Sequence, residues 1–239
     1  GEYRQLNSNI LQIENEYYST VRPKQIALDN EKPTTALHNR GIAYVEIRSL
    51  DINAFDPLGV SEEQLYFLEL FVLFCLLQES PVLEDMAVTE VDMNLVQVAH
   101  FGRKPGLELS RNDQPIALKD WAMELCEAMQ PVAELLDKVN QCDLYSKSLA
   151  VQVECVKDPS RTPSARMLEE MEKHNEGFFH FAQRQSLKYF EYFKSKQLSP
   201  EQQQFFEALS QESLVQQQLV ERDDKLGFDE FLQQYFING

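Results

Sequence analysis

Alternating hydrophobic and polar residues near the start of the chain predict short β-strands. In residues 8–18 (SNILQIENEYY) and 41–50 (GIAYVEIRSL), apolar side chains alternate with polar or charged ones. A strand points successive side chains to opposite faces, so each segment is expected to have one apolar and one polar face. Residues 21–25 (VRPKQ) predict a further strand, which Pro23 restricts to a sheet edge or a strand end because proline lacks an amide donor.

After these segments the pattern becomes helical. Residues 29–40 are expected to form a loop with one helical turn from Thr35, and Ser61 with Gln64 matches a capping box that opens a helix. Residues 65–77 are apolar apart from Glu69, which predicts a helix that is buried on most sides and forms the core. This run is too short for a membrane span, which needs about 20 apolar residues.

The rest of the chain predicts further helices. Residues 91–100 fit either a helix or a strand, while Thr162-Pro163 and Ser199-Pro200 each match an N-cap followed by proline at the first helical position. Helical spacing also covers 116–140 (with a kink or break expected at Pro131), 143–157, 163–175, 178–196 and the stretch from 200 to Ile237. The fold class is therefore α+β, with a few antiparallel strands in residues 1–60 and a mostly helical region in 61–239.

Charge is unevenly distributed along the chain. The net charge is −17 over 239 residues, of which residues 1–60 carry −2 and residues 61–239 carry −15. Such a negatively charged surface argues against nucleic acid and anionic membranes as partners. It does not prevent a local basic pocket that binds a phosphate group.

Cysteines and histidines give no metal-binding pattern. Cys75, Cys126, Cys142 and Cys155 are widely spaced, and the four histidines show no zinc-ligand grouping. Reduced thiols in a cytoplasmic protein are the simplest interpretation, with Cys75 expected in the core. The start shows no signal or transit peptide.

Two charged residues in the strand of residues 41–50 are the leading site candidates. Glu46 and Arg48 would project from one face, with Val45 and Ile47 on the other. They either form an ion pair on a solvated sheet or hold a charged ligand. The neighbouring segments add the polar residues Gln12, Glu14, Glu16, Arg22 and Lys24.

Such a group of residues suits a magnesium–nucleotide site. Gathered carboxylates repel one another unless cations lie between them. Magnesium takes hard oxygen ligands together with substrate phosphates, and arginine binds a carboxylate or phosphate in a bidentate manner. The spacing of these residues is compatible with both a magnesium–nucleotide site and a structural ion pair.

Four stretches resemble one known enzyme family. SNILQIENEYYSTVRPKQ, GIAYVEIRSLD, GRKPGLEL and PSARML are similar to the proteobacterial type of glutamate–cysteine ligase (gamma-glutamylcysteine synthetase), with QIENEYY and YVEIRSLD the most specific. The resemblance covers essentially the whole chain but only the C-terminal part of the family. Its members are considerably longer at the N-terminus, and that missing half carries most of the other magnesium ligands and the cysteine-binding residues.

The resemblance implies a fold and a reaction. The fold is related to glutamine synthetase, with an antiparallel sheet curved around the active site and helices behind it. The reaction is the first step of glutathione biosynthesis, in which ATP drives the joining of the gamma-carboxylate of L-glutamate to L-cysteine through an acyl phosphate. Magnesium cations and an arginine would stabilise the negative groups that meet there.

The resemblance also implies roles for individual residues. Glu46 corresponds to a magnesium ligand and Arg48 to the arginine that binds substrate glutamate, while Arg22 and Lys24 are placed at the nucleotide. Glu14 is either structural or part of the site, and the roles of Gln12 and Tyr18 stay open. No residue is assigned a catalytic role. A basic turn packed on an acidic neighbour is favoured over phosphate contact for Arg103 and Lys104. Packing or surface positions are expected for His100 and His180, and helix packing is expected for the phenylalanines of residues 178–193.

Two functional hypotheses follow. The first is a ligase fragment that is inactive alone and works with the missing N-terminal part of the same enzyme. The second is a non-enzymatic acidic helical interaction domain, in which Glu46 and Arg48 form a structural ion pair.

Overall fold

The computed structural model describes residues 5, 6, 8–28, 31–80, 82 and 85–237. Its strands are β1 (Val21–Lys24), β2 (Tyr44–Ile47), β3 (Glu108–Arg111) and β4 (Gln114–Ala117). Its α-helices are α1 (Pro33–Arg40), α2 (Glu62–Leu77), α3 (Asp85–Phe101), α4 (Leu118–Asn140), α5 (Leu144–Lys157), α6 (Pro163–Lys173), α7 (Phe178–Lys194), α8 (Pro200–Asp223) and α9 (Phe228–Ile237). The α+β prediction is confirmed.

The chain divides into two compact units. Residues 1–51 and 196–239 form the first unit, and residues 52–195 form the second. The sequence-based division at residue 60 stays a prediction.

Helices α2, α4 and α5 build the core of the second unit. Seven buried residues from these helices pack together: Leu70, Phe74, Cys126, Met129, Ala133, Tyr145 and Leu149. The capping box that opens α2 is formed as predicted. Ser61 Oγ accepts from the Gln64 amide at 3.2 Å, and Gln64 Oε1 accepts from the Ser61 amide at 2.9 Å.

Helix α2 is less buried than its apolar sequence predicted. Leu70 and Phe74 face the core, but Leu65, Leu76 and Leu77 are exposed. Cys75, predicted in the core, is exposed as well. The reason is that α4 and α5 cover only one side of α2, whereas the sequence is apolar all round.

A β-hairpin in the second unit has no counterpart in the sequence predictions. Strands β3 and β4 pair antiparallel, with Leu109 opposite Ile116. Asn112 and Asp113 connect them with positive φ angles of 55° and 58°, as a two-residue primed turn requires. Asn94 of α3 fixes the hairpin by donating to the Ser110 carbonyl and accepting from its amide.

Helix α4 runs without a break from Leu118 to Asn140 and contains Pro131. The kink or break expected there does not end the helix. The predicted caps at Thr162 and Ser199 are both formed and begin α6 and α8. Residues 91–100, for which helix and strand were both open, lie in α3.

The first unit contains sheet β1–β2 together with α1, α8 and α9. The strands pair antiparallel, with Val21 opposite Ile47 and Lys24 opposite Tyr44. Helix α1 replaces most of the expected loop at 29–40, of which residues 29 and 30 lie outside the described residues. At the C-terminal end of α1, the Arg40 guanidinium donates hydrogen bonds to both carboxylate oxygens of Glu31, and the Leu28 amide donates a further one. These hydrogen bonds lower the pKa of the Glu31 carboxyl to about 2.

The strand predicted for residues 8–18 is wrong. The segment forms bends and a single 3-10 turn at Glu14–Glu16. Ile10 and Leu11 are exposed, at 99% and 46%, so no layer covers these apolar side chains as it would in a strand with one buried face. Side chains bond the backbone locally instead, as Glu16 does to the Gln12 amide.

Across the described ranges, no helix is long and apolar enough to cross a membrane.

Candidate functional site

Sheet β1–β2 brings the predicted site residues onto one face. Arg22 lies directly opposite Glu46, and Lys24 lies opposite Tyr44. Residues opposite each other in a ladder share a face, and residues two apart along a strand do too. Arg48 continues this series and its amide bonds the Thr20 carbonyl at 2.8 Å. Arg22, Lys24, Glu46 and Arg48 therefore project from the same side.

Glu46 interacts with Lys24 across the ladder. The ammonium of Lys24 lies 3.2 Å from Glu46 Oε2, and both side chains are about one-third exposed, at 30% and 38%. This oxygen is itself buried and accepts no hydrogen bond among the described residues. The Lys24 ammonium neutralises this carboxylate, and a hard cation would have to displace it, so the magnesium-ligand role of Glu46 stays a prediction.

One carboxylate is not a complete metal site. The described part of the chain contains no group of three or more His, Cys, Asp or Glu residues placed to hold a metal ion. Any magnesium bound by Glu46 would need further oxygen ligands from elsewhere, including substrate phosphates.

Arg48 does not pair with Glu46. Its guanidinium lies over the Tyr18 ring, 4.5 Å from the centroid, and no carboxylate of a described residue lies within ion-pair distance of it. Of the two alternatives that the sequence left open, the ion pair between Glu46 and Arg48 is not formed, because Lys24 pairs with Glu46 instead. Stacking on an aromatic face orients the guanidinium while its five N–H donors can still bind a planar anion.

Arg22 is half-buried at the centre of β1, directly opposite Glu46. The ion pairs of the described residues do not include it. The face thus carries three cations and one carboxylate, a local positive surface on an acidic chain. Such a surface attracts phosphate or carboxylate groups.

Tyr18, whose role the sequence left open, contacts Arg48. The signal was its position, since Tyr18, Thr20 and Arg22 are spaced two apart and share a face when the chain is extended. Only the cross-strand arrangement, however, reveals that its ring lies under Arg48.

Glu14 and Gln12 make contacts away from this face. Glu14 accepts hydrogen bonds from the amide and hydroxyl of Thr34 in the first turn of α1. Gln12 bonds the Leu6 amide and the Asn9 carbonyl. These contacts fit the structural alternative for Glu14.

The remaining candidates lie elsewhere in the chain. Arg103 and Lys104 are exposed in the turn after α3, and no described carboxylate pairs with them. His100 and His180 are exposed. Phe181 of the phenylalanine-rich helix is fully buried and packs edge-on against Phe55, as expected for helix packing. The other phenylalanines of residues 178–193 are exposed, which the packing prediction did not anticipate: Phe178, Phe179, Phe190 and Phe193.

Comparison with known proteins finds similarity to one enzyme family. The family model described as glutamate-cysteine ligase matches residues 1–98. A glutamate–cysteine ligase of Pseudomonas fluorescens is 46% identical over 98% of this chain and 44% of its own length. One of Alcanivorax borkumensis is 45% identical over 98% of this chain and 45% of its own length. The chain thus spans a little under half of these relatives.

Solved structures agree in fold. A glutamate–cysteine ligase from Francisella tularensis, in complex with AMP, superposes with a TM-score of 0.88 and 35% identity, over 98% of this chain and 46% of that one. A bifunctional glutathione synthetase from Pasteurella multocida has a TM-score of 0.52 and 21% identity over 74% of this chain and 22% of that one, and shows likeness of fold alone.

Proposed function

Since this chain belongs to the glutamate–cysteine ligase family, we propose that it forms the C-terminal part of an ATP-dependent enzyme that joins L-glutamate to L-cysteine. The observation that carries the proposal is the shared face of sheet β1–β2, where Arg22, Lys24, Glu46 and Arg48 lie together. The AMP bound to the Francisella tularensis relative supports nucleotide use in the family.

Arg48 is the proposed binding group for substrate glutamate. Its guanidinium is held by the Tyr18 ring and has no carboxylate partner among the residues described. A bidentate bond to a carboxylate would satisfy it, with the geometry that only arginine supplies.

Glu46 is the proposed magnesium ligand of this chain. Magnesium would offset the negative charge of the phosphates and of the glutamate carboxylate as they meet. Arg22 lies opposite Glu46 and Lys24 lies 3.2 Å from it, and both would bind the nucleotide phosphates beside that ligand. Lys24 would then exchange its ion pair with Glu46 for a phosphate oxygen.

In the proposed reaction, the gamma-carboxylate of glutamate attacks the gamma-phosphorus of ATP and ADP leaves. The cysteine amine then attacks the resulting acyl phosphate and releases phosphate. The contribution of this chain is to hold and neutralise the anionic groups, and it donates no nucleophile of its own. We place the reaction in the cytoplasm, where the four free thiols would stay reduced.

Substitutions at Glu46 and Arg48 test these roles in the enzyme that contains both this chain and the remaining part. Glu46→Gln keeps the shape of the side chain and removes its charge, so kcat should fall by about a hundredfold or more. Arg48→Lys removes the bidentate fork, so KM for glutamate should rise by about tenfold to a hundredfold.

Two matched variants control for charge loss and for arginine replacement elsewhere. Glu127→Gln on the exposed side of α4 and Arg103→Lys in the exposed turn should leave kcat and KM unchanged. Unchanged kinetics for both site variants, in folded protein, would contradict the proposed site.

A further inference from the structure

A cleft lies between α5 and α6 in the second unit. Its volume is about 420 Å³, which is in the range of small-molecule binding sites. The residues that line it are Val151 and Cys155 of α5, Ser160 and Arg161 of the 3-10 turn between the two helices, and Arg166 and Glu169 of α6. None of these residues has a role in the proposed ligase reaction.

The turn that lines the cleft is held in place by its neighbours. Asp158 accepts hydrogen bonds from the amide and the hydroxyl of Ser160, at 3.0 and 2.7 Å. The guanidinium of Arg161 is paired with the Glu154 carboxylate at 2.7 Å, which offsets its charge. This part of the cleft is therefore formed without a ligand, as is usual for small-molecule sites.

Arg166 is an oriented cation without an acidic partner. Its guanidinium lies over the Phe55 ring, 4.1 Å from the centroid, and Phe55 packs edge-on against the buried ring of Phe181. Among the described residues, no carboxylate lies within ion-pair distance of Arg166, and no oxygen accepts a hydrogen bond from it. Stacking fixes the plane of the guanidinium, and its N–H donors remain available to a planar anion.

Glu169 supplies the opposite charge in the same cleft. It follows Arg166 by three residues in α6, so the two side chains leave the helix on the same side. Residues at this spacing can form an ion pair, but these two do not reach ion-pair distance, and Glu169 pairs with no other described cation. Both charged groups of α6 therefore line the cleft without neutralising each other.

The α5 side of the cleft is uncharged. It consists of Val151, which is 42% exposed, and the partly buried Cys155. Burial raises the pKa of the Cys155 thiol, although Arg161 and Arg166 act in the opposite direction, so the thiol is protonated at neutral pH. A ligand on this side would meet valine methyl groups and a neutral thiol.

We propose that this cleft binds a free α-amino acid with a short uncharged side chain. The carboxylate would accept two hydrogen bonds from Arg166, the ammonium group would pair with Glu169, and the side chain would contact Val151 and Cys155. A zwitterion satisfies both charged groups of α6 at once. A phosphate or a simple carboxylate would leave Glu169 facing an anion, which is unfavourable.

Titration of this chain with L-alanine, followed through amide chemical shifts in NMR spectra, tests the site. The amide signals of Cys155, Ser160, Arg166 and Glu169 should shift, with a dissociation constant of about 1 mM, as expected for so small a ligand. No shift of these signals, or shifts confined to the surroundings of Arg48, would overturn the proposal.

Two analogues of L-alanine test whether both of its charges are needed. Propionate lacks the ammonium group and ethylamine lacks the carboxylate, so each should bind about tenfold more weakly or worse. If propionate or inorganic phosphate bound as tightly as L-alanine, the cleft would be a general anion site and the proposal would be wrong.

Substitutions in α6 separate the two charged contacts. Glu169→Gln keeps the shape of the side chain and removes its charge, so affinity for L-alanine should fall about tenfold, whereas affinity for propionate should not fall. Arg166→Gln should weaken both ligands by about tenfold or more. Both residues are exposed, so the fold should persist, which the melting temperature checks.

Two exposed residues outside the cleft provide matched controls. Glu172→Gln, also in α6, and Arg103→Gln, in the turn after α3, should bind L-alanine as tightly as the unmodified chain. Unchanged affinity in Glu169→Gln, or an equal loss in Glu172→Gln, would overturn the proposal. Because the test requires no turnover, its result is independent of the proposed ligase function.

Discussion

Tyr145 illustrates how one buried residue couples the core to pH. Its ring is 4% exposed, and its hydroxyl donates a hydrogen bond of 2.8 Å to Glu69 Oε2. Burial, followed by the bond to Glu69, raises the pKa of Tyr145 to about 12 from its usual value of 10.0. The folded state thus favours the protonated phenol.

The consequence is a loss of stability at high pH. A tyrosine whose pKa is raised on folding contributes its full stabilisation below its unfolded pKa, and that contribution is lost as pH rises from 10 towards 12. Tyr145→Phe should lower the free energy of unfolding by about 1 kcal/mol near neutral pH, through loss of the hydrogen bond.

Chemical unfolding at several pH values checks this prediction. The fall in stability above pH 10 should be shallower in Tyr145→Phe than in the unmodified chain. Tyr66→Phe controls for loss of a neighbouring hydroxyl, since its ring packs edge-on against Tyr145 at 5.0 Å. The same pH dependence in all three proteins would contradict the role of Tyr145.

At the scale of secondary-structure elements, α1 depends on a residue far away in the sequence. Lys32 at its N-cap makes no capping bond, and the Glu14 carboxylate, 20 residues before Thr34, bonds the Thr34 amide and hydroxyl instead. A negative group at this end also interacts favourably with the helix dipole.

Removing this cap should destabilise α1. Glu14→Ala is expected to cost about 1 kcal/mol of unfolding free energy, with a smaller loss for Glu14→Gln, which keeps one acceptor oxygen. Faster amide exchange in α1, compared with unchanged exchange in α5, is the matching local readout. Unchanged stability and exchange in Glu14→Ala would show that the contact does not hold the helix.

The elements also show what the sequence could predict. Helix starts at Ser61, Thr162 and Ser199 were predictable because each cap involves residues within one turn. The Asn112-Asp113 hairpin was missed, although its turn residues were a usable signal. The false strand at 8–18 had the right alternation, but a strand also needs a partner, which a local pattern does not reveal.

The candidate site was likewise predictable from the sequence only in part. The alternating sequence pattern predicted that Glu46 and Arg48 share one face of a strand, and the register of β1 and β2 is consistent with this prediction. The pairing of Glu46 with Lys24 was not predicted, because Lys24 reaches Glu46 only through cross-strand pairing. The contact of Arg48 with Tyr18 likewise depends on how the chain enters β1.

At the scale of the whole molecule, much apolar surface faces outward. Helix α8 has no buried residue, and Phe205, Phe206 and Leu209 are all exposed along it. A helix in water gains most of its stability from a packed apolar face, and exposed patches of this kind mark interaction surfaces. This surface accords with a chain that covers under half of its relatives.

The most direct test of the account is the formation of gamma-glutamylcysteine from glutamate, cysteine and Mg-ATP. We expect no product and no ADP from this chain alone, because Glu46 is its one proposed metal ligand. Product should appear when the remaining part of the enzyme is added, and Glu46→Gln should abolish it. Product from this chain alone, or none from a complex that forms, would contradict the claim that the chain supplies one wall of a ligase site.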